Sequence, residues 1–181
     1  MGSIIAIGGP HGSGKSSVAK KLAEDLSMNY VSAGSVFREM AKNRNFTLKE
    51  FSEKVLNEPT IDKQIDKKTQ ELSQNDNTIV DAQLAAHFTP SDTLLKICIS
   101  ATPEIRWQRI ATRDNKSIDE AKSETLAREK SEQNRFLKLY NIDVWDTSCY
   151  DIIINSDRID IDQTYLLCKT IVQHVLKRSQ N

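Results

Sequence analysis

Residues 9–16 have the types and spacing of a loop that holds phosphate groups. They read Gly-Pro-His-Gly-Ser-Gly-Lys-Ser, which fits the pattern G-x-x-x-x-G-K-[ST] at every position. Glycines allow successive backbone N–H groups to turn inward around phosphate oxygens, and the helix after such a loop presents its positive end to them. In this pattern the lysine, here Lys15, reaches the β- and γ-phosphates, and the hydroxyl that follows, here Ser16, ligates Mg²⁺.

The alternative is a glycine-rich turn that only joins a strand to a helix. The flanking residues favour the phosphate loop, because an apolar strand pattern precedes it and apolar residues at Val18, Leu22 and Leu26 indicate a helix after it. The sequence therefore predicts a nucleoside triphosphate with Mg²⁺ on this loop. The residues predicted to contact the nucleotide are Gly9, Pro10, His11, Gly12, Ser13, Gly14, Lys15, Ser16 and Ser17.

Asp81 is a second candidate for the metal. It directly follows the apolar run Thr78–Val80, at the end of a predicted strand. An aspartate that leaves a buried strand beside a phosphate loop can hold Mg²⁺ through a water molecule. A helix cap or a turn residue is the alternative interpretation.

Arginine is distributed unevenly along the chain. Arg106, Arg109 and Arg113 are spaced as one face of a helix, and Arg128 and Arg135 lie seven residues apart on the next helical segment. Because guanidinium groups match phosphate oxygens bidentately, these residues suggest a phosphate clamp. The alternative is a solvated charged face with ion pairs. The acidic partners available to such a face are Glu120, Glu124, Glu129 and Glu132.

The elements that position these residues alternate between strands and helices, which predicts an α/β fold with a largely parallel sheet. Capping boxes predict helix starts at Thr47–Glu50 and Ser117–Glu120, and Thr102-Pro103-Glu104 predicts a third start. The last helix has an apolar face with Cys168, Ile171, Val172, Val175 and Leu176. The five predicted strands are Ser3–Ile7, Asn29–Ser32, Thr78–Val80, Leu94–Ile99 and Ile152–Ile154.

Two intervals between strands are longer than one crossover helix requires. Residues 36–76 are helical and polar, with a thin apolar stripe at Ile61, Ile65 and Leu72. Residues 114–146 form a second polar helical excursion. We expect both to project over one edge of the sheet as flaps that close over a site.

The bulk properties exclude several classes of protein. The 25 basic residues balance the 25 acidic ones, so no global field favours nucleic acid or an anionic membrane. The N-terminus lacks the features of a signal peptide, and no apolar run approaches ~18 residues, which argues against a membrane span. Three scattered cysteines indicate a reduced compartment. We therefore expect a cytoplasmic protein that acts on small molecules; its oligomeric state cannot be read from the sequence, although a monomer is favoured.

Motifs beyond the phosphate loop identify a family. The segments SAGSVFREMAKNRN, FSEKVLNEPTIDKQIDKKTQEL, IVDAQLA, RIATRD and AREKSEQNRFLKLYNID occur in this order, and the chain resembles the archaeal-type cytidylate kinases from about residue 3 to about residue 176. The resemblance implies a single nucleoside-monophosphate-kinase-like domain over residues 1–181. It has a CORE (1–35, 77–113 and 147–181), an NMP-binding flap (36–76) and a LID (114–146).

The resemblance also implies a reaction and roles for individual residues. The family transfers the γ-phosphoryl group of ATP to CMP or dCMP with Mg²⁺. Arg38, with Ser32 and Gly34, matches the motif that contacts the monophosphate, and Arg128 and Arg135 match the paired LID arginines. Arg109 and Arg113 match a basic stripe near ATP. The residues implied in catalysis are Lys15, Arg113, Arg128 and Arg135.

Two positions depart from the family pattern, both on the acceptor side. Ala82-Gln83 stands where a Gly-Arg pair is usual, and Ser35 stands where an aspartate is common. Gln83 can donate hydrogen bonds to the acceptor but carries no charge. A kinase of another small acceptor such as AMP, and a non-catalytic nucleotide-binding switch, therefore stay open as alternatives.

The residues that read the base are less defined by the sequence. Asp62 and Asp66 lie one turn apart on a predicted flap helix, and either can accept a hydrogen bond from a cytosine amino group. The alternative is that they pair with Lys63, Lys67 or Lys68. No catalytic base is needed, because the second pKa of a phosphate monoester is near ~6. His11, His87 and His174 are accordingly predicted to be structural or solvated.

Overall fold

The five predicted strands form one parallel sheet. The structure is a computed structural model that describes residues 3–47, 50–51, 54 and 58–179. The strand order is β2-β3-β1-β4-β5, and every neighbouring pair is parallel, as the alternating pattern predicts. The strands are β1 (Ile4–Gly8), β2 (Asn29–Ser32), β3 (Thr78–Asp81), β4 (Leu95–Ser100) and β5 (Ile152–Asn155).

Helices cover both faces of this sheet and extend beyond its edge. In the described part of the chain they are α1 (Lys15–Leu26), α2 (Ala33–Asn43), α3 (Pro59–Leu72), α4 (Ala85–Phe88), α5 (Pro103–Asp114), α6 (Ile118–Tyr140) and α7 (Ile161–Ser179). None of these helices combines the length and the apolar character needed to cross a bilayer.

The alternation of side chains along β1 divides the core in two. Ile5 and Ile7 pack on one face with Val18 and Leu22 of α1 and with the apolar side of α7. Ile4 and Ala6 pack on the other face with α4 and with Phe136 of α6. Successive strand residues point to opposite faces, so a strand buried on both faces reads as a continuous apolar run.

A separate small core lies between α2 and α3. Val36, Phe51, Ile61 and Ile65 are buried in it, and Leu72 packs against it. The predicted stripe Ile61, Ile65 and Leu72 is thus the buried face of α3. This cluster shares no residue with the two sheet cores, so α2 and α3 form their own packed unit beside the sheet.

The predicted helix starts are confirmed with one correction. Ser117 and Glu120 form the reciprocal capping box at the start of α6. Thr47 and Glu50 exchange the same hydrogen bonds, although Leu48 and Lys49 between them lie outside the described residues.

Thr102 stands at the N-cap of α5 as predicted, but its side chain makes no capping hydrogen bond. Pro103 at the first position of α5 favours the start of the helix through its fixed φ angle.

The register of the sheet brings the chemical residues together. Ser32 of β2 lies opposite Asp81 of β3, and Ile7 of β1 lies opposite the same aspartate. The phosphate loop starts directly after β1, so the loop, Ser32 and Asp81 meet at the carboxyl edge of the sheet. Ligands of open parallel sheets bind at this edge.

Candidate active site

The loop between β1 and α1 has backbone conformations that only glycine adopts easily. Gly9, Gly12 and Gly14 have φ angles of 131°, 79° and 94°. A Cβ atom on Gly9 would lie 2.0 Å from the carbonyl oxygen of Ile99, and one on Gly12 would lie 2.7 Å from the carbonyl oxygen of Arg106. The glycines of the motif are therefore required both for the turn and for its close packing on β4 and α5.

Two arginines of α5 hold the loop from outside. Arg106 Nη1 donates to the His11 carbonyl at 3.0 Å, and Arg109 Nη1 donates to the Ser13 carbonyl at 3.3 Å. In a trans peptide the N–H points away from the C=O, so these bonds turn the N–H groups of Gly12 and Gly14 toward the opposite side of the loop. Such an array of N–H groups suits a phosphate chain.

Lys15 is a buried cation beside this array. Its side chain lies within reach of the Pro10 carbonyl, with Nζ at 3.3 Å, and the residue is 9% exposed. Burial lowers the pKa of Lys15, and the nearby Asp81 carboxylate opposes that change. Ser13 Oγ is also buried, and it has no hydrogen-bond partner among the described residues. A desolvated ammonium and an unsatisfied hydroxyl beside inward N–H groups fit a polyphosphate.

Two oxygen groups fit a hard cation at the same place. Ser16, the second residue of α1, is exposed, and Asp81 ends β3 with a buried carboxylate. Tyr30 donates to Asp81 Oδ2 at 2.7 Å. Burial and the Asp81 charge raise the pKa of Tyr30, so its hydroxyl stays protonated and orients the carboxylate. Serine hydroxyl and carboxylate oxygens are ligands that Mg²⁺ takes in phosphate sites.

Two large cavities meet at the phosphate loop. One of about 580 Å³ lies on the α5 and α7 side, and one of about 730 Å³ lies between the α2–α3 unit and α6. His11, Lys15 and Ser16 line both. The first is also lined by Arg109, Arg113, Ser156, Asp160, Ile161 and Thr164. The second is also lined by Ser32, Gly34, Arg38, Asp66, Asp81, Gln83, Arg128 and Arg135.

The three arginines of α5, Arg106, Arg109 and Arg113, lie in three different environments. Arg109 lines the first cavity, where its two Nη groups donate to Ser156 Oγ at 2.9 Å and to the Ser156 carbonyl at 2.7 Å. Arg113 is exposed at the rim, and hydrogen bonds to Asp114 raise its pKa. Both residues reach the cavity as predicted, so they can meet anionic groups of a ligand there.

Arg106 is different, and the expectation that it belongs to a phosphate clamp is wrong. It lies under the loop, lines neither cavity and forms a buried ion pair with Glu129 of α6. The reason is that its face of α5 packs against the loop and α6 rather than against open space. For this residue the alternative ion-pair interpretation is confirmed, with Glu129 as the partner.

The arginines of α6 line the second cavity and are held by carboxylates. Arg128 Nε donates to Glu132 Oε1 at 2.9 Å, and His11 Nε2 lies 2.6 Å from Glu132 Oε2. Arg135 Nη1 donates to Asp66 Oδ2 at 2.8 Å, and Tyr140 donates to the same oxygen at 3.1 Å. Asp66 thus contacts Arg135 and Tyr140 of α6, partners on another helix that the sequence pattern did not indicate.

The remaining acceptor-side candidates have distinct surroundings. Arg38 is exposed in the second cavity, and its guanidinium forms no ion pair with any described residue. The Ser32 side chain caps α2 by accepting from the Ser35 N–H. The Ser35 hydroxyl oxygen accepts in turn from the Ser32 N–H at 3.0 Å. Gln83 is half-buried at the wall of this cavity. The Asp62 side chain lies outside the described residues.

Several contacts of the site were not predicted from sequence patterns. Glu132 contacts His11 across 121 residues, and Ser156 contacts Arg109 across 47. Tyr30 and Tyr140 orient Asp81 and Asp66. His87 lies apart, with Nε2 at 3.5 Å from Cys149 Sγ. No spacing rule predicts pairs so distant in the chain, because the fold alone brings them together.

Comparisons with known proteins identify the family and the fold of this chain. A family profile described as "AAA domain" matches residues 5–137. A cytidylate kinase of Staphylothermus marinus is 37% identical over 96% of this chain and 98% of its own length. One of Desulfurococcus amylolyticus is 40% identical over 96% of this chain and 94% of its own. Among solved structures, shikimate kinase from Acinetobacter baumannii in complex with shikimate has the same fold, with a TM-score of 0.62 at 13% identity, covering 100% of this chain and 96% of its own.

Proposed function

This chain belongs to the cytidylate kinase family, and from that premise we propose that it transfers the γ-phosphoryl group of ATP to CMP or dCMP, giving CDP or dCDP. The observation that carries the proposal is the junction of two cavities at Lys15, Ser16 and His11. A reaction between two nucleotides requires two pockets whose phosphate ends meet, and cavities of about 580 and 730 Å³ are within the usual range for such ligands.

The first cavity is the proposed donor site. The phosphate loop, residues 9–17, binds the triphosphate through its inward N–H groups, and Lys15 contacts the β- and γ-phosphates. Arg109 orients the loop and the Ser156 segment beside the nucleotide. Arg113 lines the same cavity and would exchange Asp114 for a phosphate oxygen. The cavity wall at Ile161 offers an apolar surface to the base.

Ser16 and Asp81 are the residues that would hold Mg²⁺, Asp81 through a water molecule. When bound, the ion neutralises charge on the phosphate oxygens. Tyr30 fixes the Asp81 carboxylate, and the charge of that carboxylate opposes deprotonation of Lys15. The protein groups therefore keep a cation and a carboxylate side by side where the two cavities meet.

The second cavity is the proposed acceptor site. Arg38 has no competing ion pair in the described part of the chain, so it is suited to the monophosphate, with Ser32, Gly34 and Gln83 at the same wall. Arg128 and Arg135 approach from α6 toward the acceptor and transferring phosphates. Asp66 is proposed to accept from the base. The acceptor phosphate is largely ionised at neutral pH, so these groups position and neutralise it without a base.

The division into CORE, NMP-binding flap (36–76) and LID (114–146) is proposed on the same grounds. The α2–α3 unit has its own apolar core. Helix α6 meets it through the Asp66–Arg135 contact, meets the phosphate loop through Glu132, and meets α5 through Glu129. Closure of both over the cavities would exclude water from the reaction.

An acceptor screen tests the proposal. The protein is incubated with Mg-ATP and, in turn, CMP, dCMP, AMP, GMP and UMP, and ADP release is measured. We expect kcat/KM for CMP or dCMP to exceed that for the other three. A preference for AMP, GMP or UMP would assign a different acceptor. ATP binding without turnover on any monophosphate would instead indicate a non-catalytic switch.

A further inference from the structure

His11 occupies a variable position of the phosphate-loop motif, yet its ring makes a specific contact. Its Nε2 lies 2.6 Å from Glu132 Oε2, and the two side chains are only 18% and 17% exposed. Burial lowers the pKa of His11, whereas His11 and Arg128 bring the pKa of Glu132 down to about 2 against the effect of its own burial. Because an ionised carboxylate oxygen can only accept, the His11 ring donates to Glu132 through an N–H on Nε2.

The other oxygen of Glu132 holds Arg128. The bond uses Nε of Arg128 at 2.9 Å, which leaves the two Nη groups without an ion pair among the described residues. Arg128 is 63% exposed, and an exposed pair four residues apart on a helix is too weak to fix a long side chain by itself. The histidine bond restrains Glu132, and Glu132 then offers Arg128 a fixed partner.

The backbone of residue 11 is held by α5, and α5 is in turn held by α6. The His11 carbonyl accepts from Arg106, and Arg106 forms the buried ion pair with Glu129, one turn before Glu132. Helix α6 is thus joined to residue 11 directly through the ring and, by way of Arg106 of α5, through the carbonyl. Arg128 lies one residue before Glu129 on the same helix, and it lines the second cavity.

We propose that His11 is a positioning residue for phosphoryl transfer: it orients Glu132, which orients Arg128 in the second cavity, and His11 itself lines both cavities. The inference rests on the proposed function, since it assigns Arg128 to the phosphates. Transfer through a metaphosphate-like state depends mainly on the placement of charge, and a misplacement of about 1 Å can slow a reaction roughly 100-fold. His11 therefore acts on kcat more than on nucleotide binding.

The test is a double-mutant cycle of His11→Phe and Glu132→Gln. Phenylalanine keeps a ring but has no N–H, and glutamine keeps the volume of Glu132 but leaves one acceptor oxygen for two donors. We expect each variant to lower kcat roughly ten- to 100-fold with KM for ATP changed less than about threefold. The double variant should be no slower than the slower single variant, because both break the same chain of contacts.

Two controls separate positioning from a general structural effect. His11→Gln restores an N–H donor and should recover much of the kcat lost in His11→Phe. Glu124→Gln removes the same charge from the same helix but breaks only the exposed Lys116 pair, so kcat should stay within about twofold of wild type. Thermal unfolding of every variant checks that the fold is retained.

Several results would overturn the inference. They are an unchanged kcat in His11→Phe, multiplicative effects of the two single variants, or no recovery in His11→Gln. The cycle uses whichever monophosphate the wild type prefers. If the wild type uses none, the proposed function fails. The rate of the slow transfer from ATP to water is then measured for the same variants, and the absence of coupling between them would equally overturn the inference.

Discussion

Lys15 shows at the scale of one residue how function and stability oppose each other. Its ammonium is buried, and burial lowers its pKa because the charged form loses water. The folded protein therefore maintains a cation at a cost in stability, with the Asp81 charge offsetting part of it. Strained or desolvated groups of this kind are expected where a ligand supplies the missing partner.

Replacing Lys15 with methionine should separate the two effects. We expect Lys15→Met to lower kcat/KM for phosphoryl transfer at least roughly 100-fold, because it removes a cation from the transferring phosphate. The melting temperature should stay the same or rise, since a buried charge is replaced by an apolar chain of similar length. Calorimetry and the ADP-release assay measure both. A large fall in melting temperature with activity retained would contradict this description of Lys15.

Gln83 is the residue at which acceptor affinity is open to improvement. It lines the second cavity together with Arg38, and the resemblance leads us to expect an arginine there. We predict that Gln83→Arg lowers KM for CMP roughly tenfold, because hydrogen bonds to charged groups are stronger when the donor is also charged. Steady-state kinetics with CMP test this, and Gln83→Met serves as the uncharged control. An unchanged KM in Gln83→Arg would mean that the acceptor phosphate does not reach this wall.

At the scale of elements, α6 is the helix that joins the parts of the site. It contacts the phosphate loop through Glu132, α5 through Glu129, and α3 through Arg135 and Tyr140. These contacts lie along one helix of 23 residues, Ile118–Tyr140. A movement of α6 would therefore displace side chains at the phosphate loop and at the α2–α3 unit together.

The buried pair Arg106–Glu129 should dominate the stability of this junction. Its two side chains are 5% and 7% exposed. We expect Arg106→Met to lower the free energy of unfolding by about 3–5 kcal/mol, because it leaves a buried carboxylate without its cation. The double variant Arg106→Met with Glu129→Met should be more stable than the single one. Urea titration measures both, and equal losses in the two would argue against a buried, coupled pair.

Glu132 gives the same junction a dependence on acid. Its pKa is about 2 in the folded protein against an ordinary value of 4.5, so the ionised form is favoured by folding. The resulting stability is present above pH 4.5 and is lost as the pH falls toward 2. The shift corresponds to roughly 3 kcal/mol. Glu132→Gln should flatten the unfolding free energy over this range, and an unchanged acid profile would contradict the pair.

At the scale of the whole molecule, the local patterns predicted the framework well. The apolar runs identified all five strands, and the capping box at Ser117 marked the start of α6. These signals lie within a few residues of each other. The sequence left two interpretations of Arg106 open and did not predict the partners of Asp66, because a helical spacing fixes which residues share a face but not which face meets open space. Contacts such as Asp66 with Arg135, 69 residues apart, depend on how the flaps pack.

The central claim is that two nucleotide sites meet at Lys15, so that a phosphoryl group passes directly from one to the other. ATP labelled in its γ-phosphate is mixed with CMP and Mg²⁺, and the products are separated by chromatography. We predict that the label appears in CDP, in an amount equal to the ADP formed. Label found only in inorganic phosphate, or only in the product of another acceptor, would contradict the assignment.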